Sequence, residues 1–251
     1  MRFSVLSTLK EALNLWVRHL AILIPAAFVI ALPTHIFGLL DYIFDADPLH
    51  PAGLIILGNI AAPILRIISE GVGIAAVLNI LFRGANENRS NAIQQGINDY
   101  ALSLMGVDIW LGLIAMVLFV PVFALIFVFR GSPLWGLLVV ALAVIFLKYA
   151  LAKPLVVAEN MKAWPALAAS WQMTRSRFGY VLGCYLIFGV IEGLLQYGIN
   201  FLHASIAILW PITFSVDVID TYPIIIAWVM YLRFRAGEET LPVVEVEPVL
   251  S

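Results

Sequence analysis

The feature that most constrains this chain is its succession of apolar stretches, each about as long as a membrane-spanning helix. A helix needs about 20 apolar residues to cross the hydrocarbon core of a bilayer, and residues 20–40 contain no Asp, Glu, Lys or Arg. Of the 251 residues, 63% are hydrophobic and only 12% are charged, whereas soluble domains carry about 25% charged residues. The chain therefore lacks the polar surface of a soluble globule, which excludes most soluble enzymes, nucleic-acid-binding proteins and disordered proteins.

The predicted fold class is all-α, a polytopic membrane bundle of about six transmembrane helices. The predicted spans are residues 20–40, 54–82, 106–129, 134–157, 180–202 and 213–233. They form a single integral membrane domain, residues 1–235, followed by an acidic cytoplasmic tail, residues 236–251. The last span is the least regular, because Pro211, Asp217, Asp220 and Pro223 interrupt or precede it. Residues 203–222 are also compatible with a re-entrant or interfacial segment.

The basic residues predict the orientation of the spans. Cytoplasmic loops of membrane proteins are enriched in Lys and Arg, and one set of connections holds most of the fourteen basic residues of this chain. These are Arg2, Lys10, Arg18, Arg83, Arg89, Lys153, Lys162, Arg175, Arg177, Arg233 and Arg235. Six spans place all of them on one side, so we predict that both termini lie in the cytoplasm.

Three amphipathic segments precede the odd-numbered spans, at residues 4–19, 89–101 and 163–178. Apolar residues fall on one face at helical spacing in the first and third segments. These residues are Val5, Leu9, Leu13 and Trp16 in the first, and Trp164, Leu167 and Trp171 in the third. The pattern predicts short interfacial helices and a threefold repeat of interfacial helix, span, outside turn and span.

The third amphipathic segment also carries predicted contacts with lipid headgroups. Its tryptophans can anchor a helix at the membrane interface, and its arginines can pair with anionic lipid phosphates. The predicted contacts are Trp164, Trp171, Arg175 and Arg177.

Four charged residues fall near the middle of predicted spans: Arg66, Glu70, Lys148 and Glu192. Charged side chains at this depth cost several kcal/mol unless they are paired or hydrated. Arg66 and Glu70 are four residues apart and can pair on one helix face, whereas Lys148 and Glu192 can pair between spans. We predict an intramembrane polar cluster, which is either a transport site or a structural ion-pair network. Asp108 is expected to be a boundary residue.

Glycines in two spans predict close helix packing. Span five contains two small-xxx-small patterns, Gly179 with Gly183 and Gly189 with Gly193, and span two contains Gly71 and Gly73. Small residues at this spacing allow two helix backbones to approach each other.

The segment from Lys153 to Gly183 reads KPLVVAENMKAWPALAASWQMTRSRFGYVLG. It resembles a pattern in a broad set of bacterial six-span proteins, which includes the membrane domain attached to some glycerophosphodiester phosphodiesterases. The matching residues are Glu159, Ala166, Ser170, Trp171, Thr174, Arg175 and Phe178, with Tyr231, Arg233 and Arg235 in the closing YLRFRAGEE. The resemblance implies a helical membrane domain without catalytic residues, because the chemistry of those phosphodiesterases resides in a separate soluble domain.

The sequence contains no phosphate-binding loop, nucleophile elbow, dinucleotide fingerprint or metal-spaced histidine pair. We therefore predict a chain that is not an enzyme and that has no cofactor and no metal site. The first functional prediction is a non-catalytic membrane-complex subunit or an envelope or lipid-homeostasis factor. The alternative is a small transporter or permease that uses the charged cluster. The predicted partners are membrane lipids, other membrane-protein subunits or further copies of the chain, and no nucleic acid.

Overall fold

The structure, a computed structural model, describes residues 4–44, 52–83, 89–128, 134–201 and 215–238. Side chains are described at 4–37, 61–83, 90–117, 120, 140–198 and 215–237. The helices are α1 (Val5–Arg18), α2 (Leu20–Phe44), α3 (Ala52–Arg83), α4 (Arg89–Val128), α5 (Leu134–Lys148), α6 (Ala152–Ala158), α7 (Ala163–Arg175), α8 (Phe178–Phe201) and α9 (Tyr222–Glu238). Residues 215–219 are also helical. The described part of the chain contains no strand.

Six stretches of the described residues are long and apolar enough to cross a membrane. They are Leu20–Phe37, Ala61–Arg83, Ser90–Val117, Val140–Ala158, Phe178–Gly198 and Ser215–Gly237. The predicted all-α bundle with six candidate spans is therefore confirmed. The division into a membrane domain at 1–235 and a tail at 236–251 stays a prediction, and residues 239–251 lie outside the described residues.

Helix α3 packs most extensively, against α2 on one side and α4 on the other. A Cβ added to Gly73 would lie 2.7 Å from Ile30 Cγ1 of α2, and one added to Gly96 of α4 would lie 2.7 Å from the carbonyl oxygen of Ala75. Because these glycines have no side chain, the three backbones approach closely. Close packing was predicted at Gly71 and Gly73 and is confirmed at both, since a Cβ added to Gly71 would lie 3.1 Å from the carbonyl oxygen of Ala101 in α4.

The glycines of α8 behave differently from those of α3. A Cβ added to Gly183 would lie 3.1 Å from Val5, but one added to Gly179, Gly189 or Gly193 would meet no described atom within 4 Å. The close packing predicted from the two small-xxx-small patterns is therefore found at Gly183, against α1, and not at the other three glycines among the described residues. Helix α8 instead exposes apolar side chains such as Leu194, as expected of a lipid-facing helix.

The first and third amphipathic segments form separate helices, α1 and α7. Ser4 caps α1, its hydroxyl accepting a hydrogen bond from the Ser7 amide, and α1 ends at His19 just before α2. The second segment differs from the prediction, because residues 89–101 are the first turns of α4, which continues to Val128. No proline occurs between residues 89 and 120, so no missing amide donor interrupts the helix there.

Polar contacts hold α1 against α8 and α9. The Arg233 guanidinium pairs with Glu11 Oε2 at 2.6 Å and donates to Ser7 Oγ at 2.8 Å. The Tyr222 hydroxyl donates to the Leu9 carbonyl at 2.7 Å, and the Trp16 indole donates to Thr221 Oγ1 at 3.0 Å. Helix α1, near the start of the sequence, is therefore held against α9, near its end.

The fourth predicted span is two helices, because the chain turns at residues 149–151 between α5 and α6. A break exposes backbone groups that need partners away from water, and α7 supplies them. Ser170 Oγ donates to the Lys148 carbonyl at 2.9 Å and accepts from the Leu151 amide at 3.1 Å. Thr174 Oγ1 also donates to the Lys148 carbonyl, at 3.0 Å. Two hydroxyls of α7 thus stabilise the broken span.

Candidate functional site

A cavity of about 590 Å³ lies within the bundle and is bounded by described residues from each of the six candidate spans. Aliphatic side chains such as Ala27, Ile74 and Val107 form much of its wall. Six ionisable side chains also line it: Arg66, Glu70, Asp108, Lys153, Asp217 and Asp220. We call this space the acidic cavity, because among these lining residues four carboxylates face two basic groups. In apolar surroundings such an imbalance acts strongly on any charged group that enters.

Two broken spans provide part of the lining of the acidic cavity. The first break, at residues 149–151, places Tyr149 and Ala150 on its wall. The second break, at residues 220–221, separates the helical turn 215–219 from α9 and contributes Asp220 and Thr221. Non-helical backbone within a membrane-spanning stretch is tolerated where it is buried in protein or lines a cavity.

One wall of the acidic cavity holds a cluster of three charged side chains from three helices, which we call the Lys153 cluster. The Lys153 ammonium of α6 lies 2.5 Å from Glu70 Oε1 of α3 and 2.8 Å from Asp108 Oδ1 of α4. The second Asp108 oxygen, Oδ2, is buried and has no hydrogen-bond partner among the described residues. Two carboxylates therefore share one ammonium group.

A second group of charges comes from the last span and its neighbours. His35 Nε2 lies 2.6 Å from Asp217 Oδ2, which joins α2 to the helical turn before α9. Asp220 lies within electrostatic reach of Asp217, Glu192 and Arg66. This side of the cavity is therefore also rich in carboxylates.

The structure places the four residues of the predicted polar cluster in different surroundings. Arg66 and Glu70 line the acidic cavity, but Glu70 pairs with Lys153 and not with Arg66 as expected. Glu192 does not line the cavity, although its charge acts on Asp220. Among the described side chains, the contact of Glu70 with Lys153 replaces the pair of Arg66 with Glu70 that the four-residue spacing indicated.

The predicted pairing of Lys148 with Glu192 is wrong among the described residues. The Lys148 ammonium lies over the rings of Trp171 and Phe178, 5.5 Å and 4.7 Å from their centroids. Lys148 is the last residue of α5, so the turn that follows directs the chain away from the straight helix that the prediction assumed. The basic partner inside the cavity is Lys153.

Three cavity residues were assigned other positions by the sequence. Lys153 was counted among the cytoplasmic basic residues, Asp108 was taken as a boundary residue, and Asp217 was named as a residue that interrupts or precedes the last span. Pro154 directly follows Lys153, and Pro223 lies shortly after Asp217. A proline close to a charged residue in an apolar stretch could have indicated these cavity residues from the sequence, because broken membrane helices border binding sites in transporters.

The four residues predicted to contact lipid headgroups have mixed surroundings. Trp164 and Trp171 keep 57% and 41% of their surface exposed, and each also contacts an aromatic ring, Trp110 or Tyr149. Arg175 is exposed, whereas the Arg177 guanidinium lies 4.6 Å from the centroid of the Phe234 ring. Contact with lipid headgroups stays a prediction for all four.

Residues on which the family resemblance rests, in the segment from Lys153 to Gly183 and in the closing YLRFRAGEE, have structural roles in this protein. Glu159 accepts hydrogen bonds from the Tyr231 hydroxyl at 3.1 Å and from Arg235 Nε at 2.7 Å, which joins these two segments.

Comparison of the chain with family models, curated proteins and solved structures finds no match. The resemblance to the phosphodiesterase-associated membrane domain therefore stays a prediction.

Proposed function

We propose that this chain is a multi-pass membrane transporter that moves a small cationic solute through the acidic cavity. The observation that carries the proposal is the cavity itself, which lies among the candidate spans and is bordered by both of the broken ones. Broken helices at a binding site let backbone and side-chain groups contact a solute within the bundle. This proposal develops the alternative that the charged residues of the sequence suggested.

The excess of carboxylates supports a cation as the solute. Lys153 balances only one of the charges of Glu70 and Asp108, and among the described residues Arg66 is the one basic group that lines the cavity with Asp217 and Asp220 besides Lys153. Charged side chains within a membrane-spanning bundle are costly without partners and characteristically line solute or ion pathways. A small cation supplies the missing positive charge, whereas an anion is repelled.

The proposal is tested by measuring charge movement in liposomes that contain the purified protein. Pulses of ammonium, methylammonium and guanidinium ions serve as probes, and acetate at the same ionic strength is the anionic comparison. We expect transient currents with at least one cation and none with acetate. The Asp220→Asn variant should lower the cation current at least tenfold, because it removes a carboxylate from the cavity.

The matched control is Asp99→Asn, which removes an exposed carboxylate from α4. Its current should equal that of the wild type, and the thermal stability of both variants in detergent should be measured in parallel. The proposal fails if Asp220→Asn folds normally and conducts all three cations as the wild type does. It fails equally if the protein produces no current above that of empty liposomes.

A second candidate function, a lipid-binding envelope or homeostasis factor, is favoured by a different surface. A groove of about 580 Å³ lies between α1 and α8, and its lining is almost wholly apolar. The lining includes Leu6, Leu13, Ile187 and Leu195, with Lys10 as its basic residue. This groove suits an acyl chain, with the Lys10 ammonium available to a lipid phosphate.

Native mass spectrometry of the protein with added phosphatidylglycerol or phosphatidylcholine separates the two candidates. A lipid-binding function predicts retained phosphatidylglycerol that Lys10→Gln reduces severalfold, with the exposed Lys162→Gln as the control. Equal retention of both lipids in all three proteins would leave this candidate without support.

The proposed membrane location and the proposed non-catalytic role rest on the sequence. The positive residues favour an orientation with both termini in the cytoplasm, and the resemblance implies a bacterial inner membrane. We also propose a non-catalytic role, because the sequence contains no recognisable catalytic motif. A subunit role, with other membrane proteins or further copies as partners, is compatible with either candidate.

A further inference from the structure

The Lys153 cluster is unbalanced in charge and in hydrogen bonding. Lys153 contacts Glu70 Oε1 and Asp108 Oδ1, so the ammonium engages one oxygen of each carboxylate. Asp108 Oδ2 is buried without a hydrogen-bond donor in the described part of the chain. An ionised carboxylate in this position leaves the cluster with a net negative charge and a buried acceptor unpaired.

A buried polar atom without a partner costs about 1–3 kcal/mol, and a charged one costs more. The side chain of Asp108 keeps only 15% of its surface exposed, so water compensates little of this cost. Binding of one proton at Oδ2 would neutralise the cluster and turn the unpaired acceptor into a donor. Lys153 would keep its three protons and its contacts with both carboxylates.

From this geometry we propose that Asp108 is a proton-binding site of the acidic cavity. In the step, a hydronium ion in the cavity gives up one O–H bond and becomes water while an O–H bond forms at Asp108 Oδ2, and the reverse step returns the proton to water. No electrons are transferred and no co-reactant is needed. The inference deepens the proposed transport function, because a cation and a proton would then compete for the same negative charge.

The charged and titratable groups that share the acidic cavity with Asp108 come from several of the elements around it. Glu70 and Arg66 lie on α3, Lys153 on α6, and Asp217 and Asp220 on the last span, while Tyr149 and Tyr185 provide hydroxyl groups from the α5–α6 turn and α8. Of these, Lys153 favours the ionised form of Asp108, and the carboxylates favour the protonated form. Protonation of Asp108 is therefore sensitive to any cation bound in the cavity.

Infrared difference spectroscopy during a change of pH tests this proposal without any transported solute. We expect the wild-type protein in lipid nanodiscs to show one carboxylic-acid C=O band, distinct from the bands of its exposed carboxyl groups, that disappears as the pH rises. Asp108→Asn should remove this band, since the amide cannot ionise, and Asp99→Asn should retain it. In Glu70→Gln the band should disappear at a lower pH, because Asp108 is then the only carboxylate paired with Lys153 in the cluster.

The proposal is overturned if Asp108→Asn retains the titrating band or if the wild type shows none. Failure of this site and failure of transport are distinguishable. A titrating band in a protein that passes no cation current supports the proton site and refutes the transport function. Cation current with no titrating band at Asp108 does the reverse.

Discussion

At the scale of residues, the chemistry of the site depends on one lysine between two carboxylates. Breaking a buried ion pair by removing one partner is expensive, because the remaining charge is left without compensation. In the Lys153 cluster the consequence depends on which charge is removed. Loss of Lys153 leaves two neighbouring anions, whereas loss of the Asp108 charge leaves a balanced pair of Lys153 and Glu70.

This asymmetry gives opposite predictions for two substitutions. Lys153→Met should destabilise the protein by about 3–5 kcal/mol, the usual cost of an unpaired buried charge. Asp108→Asn should leave stability unchanged or raise it, because the amide keeps the shape of the side chain and removes the excess charge. Thermal unfolding in one detergent at pH 7 measures both variants. A Tm for Asp108→Asn that falls as far as that for Lys153→Met would contradict this view of the cluster.

The sequence predicted the type of the site better than its members. Long apolar stretches with isolated charges indicated a polar cluster, and two of its predicted residues, Arg66 and Glu70, do line the cavity. Lys153 and Asp108 were missed because both lie towards span ends in the linear sequence. Only the turn after Lys148 and the length of α4 bring them opposite Glu70, and neither feature is visible in hydropathy.

At the scale of elements, the break between α5 and α6 places Lys153 in the cavity. The carbonyl of Lys148 and the amide of Leu151 are satisfied by the hydroxyls of α7, from Ser170 and Thr174. These two residues belong to the motif on which the family resemblance rests. Their pattern therefore has a physical reason here, because a broken membrane helix needs donors and acceptors from a neighbour.

We expect Ser170→Ala to destabilise the protein by about 1–3 kcal/mol, since it leaves a buried amide without its acceptor. The cation current should fall as well, because Lys153 follows the break directly. The control is Ser69→Ala, whose hydroxyl donates only to the Leu65 carbonyl of its own helix among the described contacts. Equal unfolding temperatures and currents for the two variants would show that α7 does not stabilise the break.

Two of the three predicted interfacial helices, α1 and α7, are separate elements, whereas the third is part of α4. The difference is whether the helix ends before the next apolar stretch. Helix α1 stops at His19, and α7 is followed by a turn at residues 176–177. In α4 nothing stops the helix, and Gly96 allows its early turns to pack on Ala75 of α3. Amphipathic pattern alone indicates a helix but does not show whether that helix ends before the next apolar stretch.

At the scale of the whole molecule, we predict that the six candidate spans place both ends of the described chain on one side of the membrane. The only cysteine, Cys184, is buried, so a Cys184→Ser background allows single labelling sites. In intact cells, K10C and R235C should both resist a membrane-impermeant maleimide and react after the membrane is opened. Labelling of one site alone in intact cells would contradict an even number of spans.

The central claim is that the acidic cavity admits cations and repels anions, and charge-selective thiol modification tests it most directly. Thr34 is exposed and lines the cavity, so Thr34→Cys in the Cys184→Ser background reports on it, and the exposed Asn98→Cys provides the rate outside it. Relative to Asn98→Cys, we predict that Thr34→Cys reacts at least tenfold faster with a cationic than with an anionic methanethiosulfonate. Asp217→Asn together with Asp220→Asn should abolish this preference. Equal relative rates for the two reagents at Thr34→Cys would contradict the account.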